Sequence, residues 1–223
     1  MFPLNGGWAL FDTVHYSDRH LLLAALAHAR VRPEEISDVV LSHLHFDHVL
    51  NLPIFRNAAV YIAQAELDYA DRVSAGQLED HSIPDFWPLL LKNRQIQVVD
   101  DVMDLSSSVR LMWMPGHTPG CLAMFYKATS TVAVCGDVIK NVWEALTGKE
   151  EMALGGSNLA WSSIEALLVR ADVIVPGHDR PFIRRDKGVE FLTPFTWEVR
   201  TNLYPEGQDK SVLNLNFPAG VEG

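Results

Sequence analysis

His43-Leu44-His45-Phe46-Asp47-His48 holds four side chains able to bind a metal and two apolar ones. It follows Ser37-Asp38-Val39-Val40-Leu41-Ser42, a short β-branched run with the pattern of a buried strand. On a helix, His43 and His45 would point to nearly opposite sides, because positions two apart share no face. On a strand they do share one. The paired histidines therefore belong to a strand end running into a loop, and Asp47 and His48 turn inward where the next element starts. The helical H-E-x-x-H zinc signature, with its spacing of four, is a different arrangement. The competing reading is a surface loop that happens to be rich in histidine, and the rest of the chain argues against it.

Upstream, Gly7 to Thr13 reads as an apolar strand entered through a hairpin-type turn and ending on the carboxylate of Asp12. Ser17 or Asp18 can cap a helix that runs to about Arg30, with Leu22, Leu26 and Ala29 as its apolar stripe, thickened by Leu21, Leu23 and Ala25. Downstream, Ala59 to Ile62 reads as a strand and Gln64 to Val73 as a helix. Ser74 to Pro88 turns from polar to aromatic without periodicity, which fits a lid, a pocket wall or an ordinary connection. Strand patterns follow at 96–99, 109–113, 121–126 and 131–135, then a helix at 161–170 capped from Ser157 or Asn158, and a strand at 172–175. Gly188 to Asn202 is helix-like, and the stretch 204–223, with two prolines and three glycines, reads as a partly irregular tail. Strand runs flanked by helices at both ends predict a layered α/β architecture.

The 223 residues fit a single domain, 1–223, and 48% hydrophobic residues suffice for a substantial core. The net charge of −10 argues against nucleic acid as a partner. Two cysteines, Cys121 and Cys135, are too few for a disulfide framework and read as buried core residues. The first residues lack a basic region followed by a long apolar run, and no stretch is long enough to span a membrane, so the expectation is a cytoplasmic protein.

Three further turns repeat one theme, a metal-capable residue just after a strand and beside a glycine. They are Pro115-Gly116-His117-Thr118-Pro119-Gly120, Cys135-Gly136-Asp137 and Val175-Pro176-Gly177-His178. A lone Gly-His is weak evidence, but four strand-end loops jointly supplying five histidines and two aspartates can converge on one point. Seven ligands exceed one tetrahedral zinc and suit two metals sharing a carboxylate, about 3.5–4 Å apart. Imidazole and carboxylate without thiolate favour two Zn, and permit Fe, Mn or Co.

The HLHFDH run, followed in order by GHTPG, GD and PGH, resembles the metallo-β-lactamase-fold hydrolases from Asp12 to about Phe182. The resemblance implies a four-layer αβ/βα sandwich with the metal site at one edge of two facing sheets. It implies that His43, His45 and His117 bind the first metal, that Asp47, His48 and His178 bind the second, and that Asp137 bridges them. Asp12, in the place of the family's strand-ending DTG, would orient the ligands. Two departures stand out. Val14 occupies the usual glycine position, so the turn should differ and could bring His15 near the site. Family members also have one or two strands before this segment, so the fold is expected to lack its first N-terminal strand, or to start upstream. An edge strand uncovered in this way favours pairing into a homodimer.

The expected activity is metal-dependent hydrolysis, with a metal-bridging hydroxide attacking an ester, lactone or thioester of a small molecule. Asp47 could steer that hydroxide or pass a proton to the leaving group. Lys140, three residues after Asp137, suggests an anionic group on the substrate, and the 141–158 segment with Trp143 suggests an apolar wall. Lys140 stands where quorum-quenching lactonases of this family tend to have tyrosine. The alternatives on the same fold are a β-lactamase, an RNA or DNA phosphodiesterase (the runs around Asp137 and His178 resemble an animal branch linked to RNA processing) and a mono-iron sulfur dioxygenase.

Overall fold

A computed structural model describes residues 1–186, 188–200 and 212–217. The chain opens with a hairpin, β1 (Phe2–Leu4) and β2 (Gly7–Phe11), closed by Asn5-Gly6 with φ of 49° and 85°. Positive φ at both turn residues is what an Asn-Gly hairpin turn supplies, and it matches the twist of the strands. The first hairpin is present and short, with only three residues in β1, beside the expectation of a first strand lost or lying upstream.

Helix α1 (Arg19–His28) leads to β3 (Ile36–Val40), the four-residue helix α2 (Phe46–Val49), β4 (Ala59–Ala63), α3 (Gln64–Ser74), α4 (Trp87–Leu91) and β5 (Ile96–Val99). The first sheet has the order β1-β2-β3-β4-β5 and is parallel from β2 to β5. Only Leu26 of α1 is buried, with Leu22 packed beside it, while Leu21 and Leu23 are exposed, so the apolar stripe is narrower than predicted.

The second sheet is built from β6 (Val102–Asp104), β7 (Val109–Trp113), β8 (Leu122–Lys127), β9 (Thr131–Val134), β10 (Val173–Val175), β11 (Phe182–Arg185) and β12 (Gly188–Phe191), in the order β12-β11-β10-β9-β8-β7-β6. Helices α5 (Val142–Thr147) and α6 (Ser157–Arg170) connect β9 to β10, a parallel pair. A separate hairpin pairs β13 (Phe195–Arg200) with β14 (Val212–Phe217). The helix predicted for 188–202 is therefore two strands, and 201–202 lie outside the described residues. Gly188 takes φ of 114° and Pro194 withdraws a backbone donor, and neither suits a helix interior. Of the predicted irregular tail, 212–217 is strand; 204–211 and 218–223 lie outside the described residues.

Three apolar clusters define the layers. Val39, Val60, Leu26, Tyr69 and Trp87 pack between the first sheet and its helices. Val40, Ala63, Val109, Leu111 and Leu122 pack between the sheets. Ala133, Ile164, Leu167 and Ile174 pack under α6. Adjacent Val39 and Val40 feed different clusters because alternate strand residues face opposite sides. The result is the αβ/βα sandwich, with two mixed sheets. Cys121 and Cys135 are free and fully buried. Among the described residues no helix is long and apolar enough to cross a membrane.

Candidate metal centre

The loops after β3, β7, β9 and β10 meet at one end of the sandwich, where the two sheets face each other. His43 and His45 precede α2, Asp47 and His48 lie within it, His117 follows β7, Asp137 lies in a 3₁₀ turn (Gly136–Val138), and His178 follows β10. Ligand atoms of His43, His45 and His117 lie within 4.8 Å of one another, as do those of His43, His48 and Asp137, and those of Asp47, His48 and His178. All seven residues singled out as ligands thus fall into overlapping triads.

Asp137 sits at the join. Its Oδ2 lies 3.3 Å from His117 Nε2, while its Oδ1 lies 3.3 Å from His48 Nε2 and 3.2 Å from His178 Nε2. Asp47 Oδ2 closes the second group, 3.4 Å from His178 Nε2 and 3.6 Å from His48 Nε2. His43 Nε2, His48 Nε2 and Asp137 Oδ1 are buried without a hydrogen-bond partner. Buried polar atoms are ordinarily satisfied, so orphans aimed at a common centre fit a cation there.

The outer nitrogen of nearly every imidazole is anchored, which turns the inner one toward the centre. His48 Nδ1 lies 2.8 Å from Asp12 Oδ2, and the same carboxylate accepts bonds from Ser42 N and Oγ at 2.7 Å each. His43 Nδ1 lies 2.9 Å from Ser42 Oγ. His45 Nε2 meets Asp80 Oδ2 at 3.0 Å, and His117 Nδ1 meets Glu150 Oε1 at 2.9 Å. This leaves His45 Nδ1 and His117 Nε2 3.0 Å apart at the centre. Asp12 thus stands where an orienting residue is expected.

Burial holds His43 well below its ordinary pKa, which keeps it neutral. Burial pulls His48 the same way, but the charge and hydrogen bond of Asp12 outweigh it and raise its pKa. Burial would push Asp137 up, yet the imidazoles of His178 and His48 hold its carboxyl far below the usual range.

Sequence reasoning missed several residues. Asp80 sits in the 74–88 segment, none of whose residues lines the cleft beside Asp47 and His178. Ile83 and Trp87 bury themselves in the core, Ser82 O accepts from Phe46 N at 2.9 Å, and Asp80 reaches His45. Glu66 is fully buried on α3 and accepts from Leu44 N at 2.8 Å, Thr118 Oγ1 at 2.6 Å and Gly120 N at 3.2 Å, tying the first histidine loop to the second. Burial pushes its carboxyl up. A readable signal existed here, because Glu66 shares the helical stripe of Tyr69, Ala70 and Val73. Two glycines are demanded by close approach. A Cβ on Gly120 would lie 2.2 Å from Glu66 N, and one on Gly177 would lie 2.2 Å from Asp137 Oδ1.

Asp80 gives a pH prediction. Burial raises its carboxyl, but the hydrogen bonds and charge of His45, Ser82 N and Tyr69 outweigh it and set the pKa at about 2, against 3.8 ordinarily. A carboxylate depressed on folding contributes stability that is complete above its unfolded value and fades as pH falls toward its folded value. Urea unfolding of the metal-free chain should therefore show Asp80→Asn less stable than wild type near about pH 6, with the gap closing below about pH 4. A gap constant with pH would contradict this.

A cleft of about 530 Å³ opens beside Asp47 and His178. Phe11, Val14, Phe46, Val134, Val175 and Pro176 give it apolar walls, and Asp12, His15 and Asp18 also line it. His15 both accepts from Ser17 N at 3.1 Å and stands edge-on to Phe46 at 5.5 Å. Lys140 is absent from the cleft lining, because its ammonium is closed between Glu144 and Glu150. Trp143, on α5, is 47% exposed and is also absent from that lining.

The fold and this centre are those of a metal-dependent hydrolase. Residues 4–178 match the metallo-beta-lactamase superfamily, and the chain belongs to it. It is 32% identical over 184 residues to metallo-beta-lactamase domain-containing protein 1 of Mus musculus, covering 79% of this chain and 61% of that protein. It is 25% identical over 183 residues to an N-acyl homoserine lactonase of Bacillus cereus, covering 78% of this chain and 67% of that one. Among solved structures, a dizinc quorum-quenching lactonase with bound product superposes with a TM-score of 0.65 at 18% identity, covering 99% of this chain and 78% of the other.

Proposed function

We propose that the chain is a binuclear hydrolase that opens a lactone, ester or thioester of a small, uncharged molecule bearing an apolar group. The carrying observation is Asp137, whose two oxygens face His117 on one side and His48 and His178 on the other. That is the disposition of a carboxylate shared between two ions. His43, His45 and His117 would hold the first ion, and Asp47, His48 and His178 the second. When bound, two Zn would polarise a carbonyl oxygen and bring the pKa of a water to near neutrality; Fe, Mn or Co are the other ions this donor set accepts. A mono-iron dioxygenase site would leave the Asp47, His48 and His178 triad without a purpose.

The chain's own groups supply the rest. Asp12 and Ser42 hold the imidazoles in place. Asp47, partly open to the cleft, can carry a proton to the departing oxygen or sulfur. The apolar walls take up an acyl chain and exclude water from it. The anionic substrate expected from Lys140 loses its receptor, since the cleft is lined by carboxylates and imidazoles and by no lysine or arginine among the described residues. The lactonase relatives are consistent with a neutral ring ester.

Elemental analysis paired with a panel of lactones, thioesters, β-lactams and a phosphodiester tests the reading. About two zinc per chain with turnover of a neutral acyl lactone or ester is expected. One iron per chain, with oxygen uptake on a persulfide and no hydrolysis, overturns it.

A further inference from the structure

Behind His117 lies a buried charged cluster that the proposed chemistry does not use. Lys140 Nζ pairs with Glu144 Oε1 at 2.8 Å and with Glu150 Oε1. The Lys140 backbone N–H donates to Glu144 Oε2 at 2.7 Å. The side chains of Glu144 and Glu150 are 0% and 1% exposed. One ammonium against two carboxylates leaves a net negative charge in a dry place. Glu150 Oε2 has no hydrogen-bond partner. Burial would raise the Glu150 carboxyl, but His117 and Lys140 outweigh it and keep it charged at its Oε1 side; two buried carboxylates on one ammonium still leave room for a further cation beyond His117.

The imbalance makes sense in the direction in which Glu150 points. Its Oε1 accepts from His117 Nδ1, and the far nitrogen of that ring faces the centre. The rest of the 150–155 segment is fastened to the same loop. Met152 O lies 3.1 Å from His117 Nδ1, Leu154 N donates to His117 O at 2.9 Å, and Gly155 N donates to Gly116 O at 2.8 Å.

We propose that Glu150, held by Lys140, is a positioning residue whose buried negative charge is balanced through His117 by the cation at the first site, so that the 150–155 segment latches that cation in place. The proposal rests on the binuclear reading above. Glu150 touches neither substrate nor reacting atoms; it acts on His117, fixing its tautomer and strengthening its donor nitrogen.

The test uses Glu150→Gln, which keeps the shape and an accepting oxygen but removes the charge. Zinc affinity is read by chelator competition, and thermal unfolding is followed in loaded and metal-stripped protein. The variant should bind one of two zinc ions about 10–100-fold more weakly and leave the other unchanged. It should lower the Tm of the loaded form by clearly more than that of the stripped form, which loses only the pairing with Lys140 and His117. Cobalt substitution should show an altered spectrum for one ion alone. Unchanged affinity for both ions overturns the proposal, and so does an equal loss of Tm in loaded and stripped forms, which would mark a merely structural contact. If wild type itself holds no ion at the first site, the binuclear reading fails instead.

Discussion

On the proposed binuclear reading, Asp137→Asn is expected to lower the metal content from two ions per chain to one and to reduce kcat/KM by about 10³-fold or more. The side chain is buried, with its two oxygens turned to different histidine groups. The amide preserves volume, so Gly177, which packs against Oδ1, needs no adjustment. What it loses is the charge and one of two equivalent donor atoms. A shared carboxylate is worth several kcal/mol to two adjacent cations, and about 4 kcal/mol corresponds to three orders of magnitude in rate. Folding should survive, since the fold's core lies elsewhere and Asp12 remains as the partner of His48. Atomic absorption on the purified variant, alongside lactone kinetics, reads both quantities. Two ions retained with activity within about tenfold of wild type would show that Asp137 does not join two ions.

That the centre could be located from sequence follows from the kind of signal involved. His43 and His45 at a spacing of two, after a β-branched run, can share a face only on a strand, and β3 ends just before them. The glycines at 116, 136 and 177 mark turns, and beside each stands a residue of the metal-capable triads. These are local patterns, written within a few residues. The anchoring groups are different. Asp80 lies 35 residues from His45, and Glu150 lies 33 from His117, so no window of sequence contains both partners. Lys140 shows the same limit from the other side. Its position after Asp137 suggested an open cation, and only the fold shows that Glu150 closes it off. The misread helix at 188–202 is a failure of period. Val189, Phe191, Thr196 and Val199 suit a strand as well as a helix, and pairing with β11 settles the matter for 188–191.

The turn after β2 carries the second large effect. Val14 holds φ of 56°, a left-handed backbone that a β-branched residue occupies at a cost of about 1–2 kcal/mol. The structure therefore keeps the turn that glycine would favour and places the strain on valine. Asn51 holds it there. Fully buried, its Nδ2 donates to the carbonyls of Thr13, Val14 and His15 at 2.9, 3.1 and 2.9 Å, and its Oδ1 accepts from Arg19 Nε at 2.8 Å. Thr13 extends the clamp, since its N and Oγ1 both donate to His48 O at 2.8 Å. Asn51→Leu removes the donor from three carbonyls and the acceptor from a guanidinium, so destabilisation of about 3 kcal/mol is expected. Val14→Gly alone should change stability by less than about 1 kcal/mol, because relief of strain and the added freedom of the unfolded chain offset each other. In the Val14→Gly background the Asn51→Leu penalty should shrink by about 1 kcal/mol, since the clamp no longer restrains a strained residue. Urea unfolding of the four proteins in this cycle measures the coupling. A penalty below about 1 kcal/mol, or one equal in both backgrounds, would show that the turn stands without Asn51. Because Val14 and His15 line the cleft and Thr13 bonds to His48, the loss should also weaken turnover, through a loop that contributes no ligand atom to the centre.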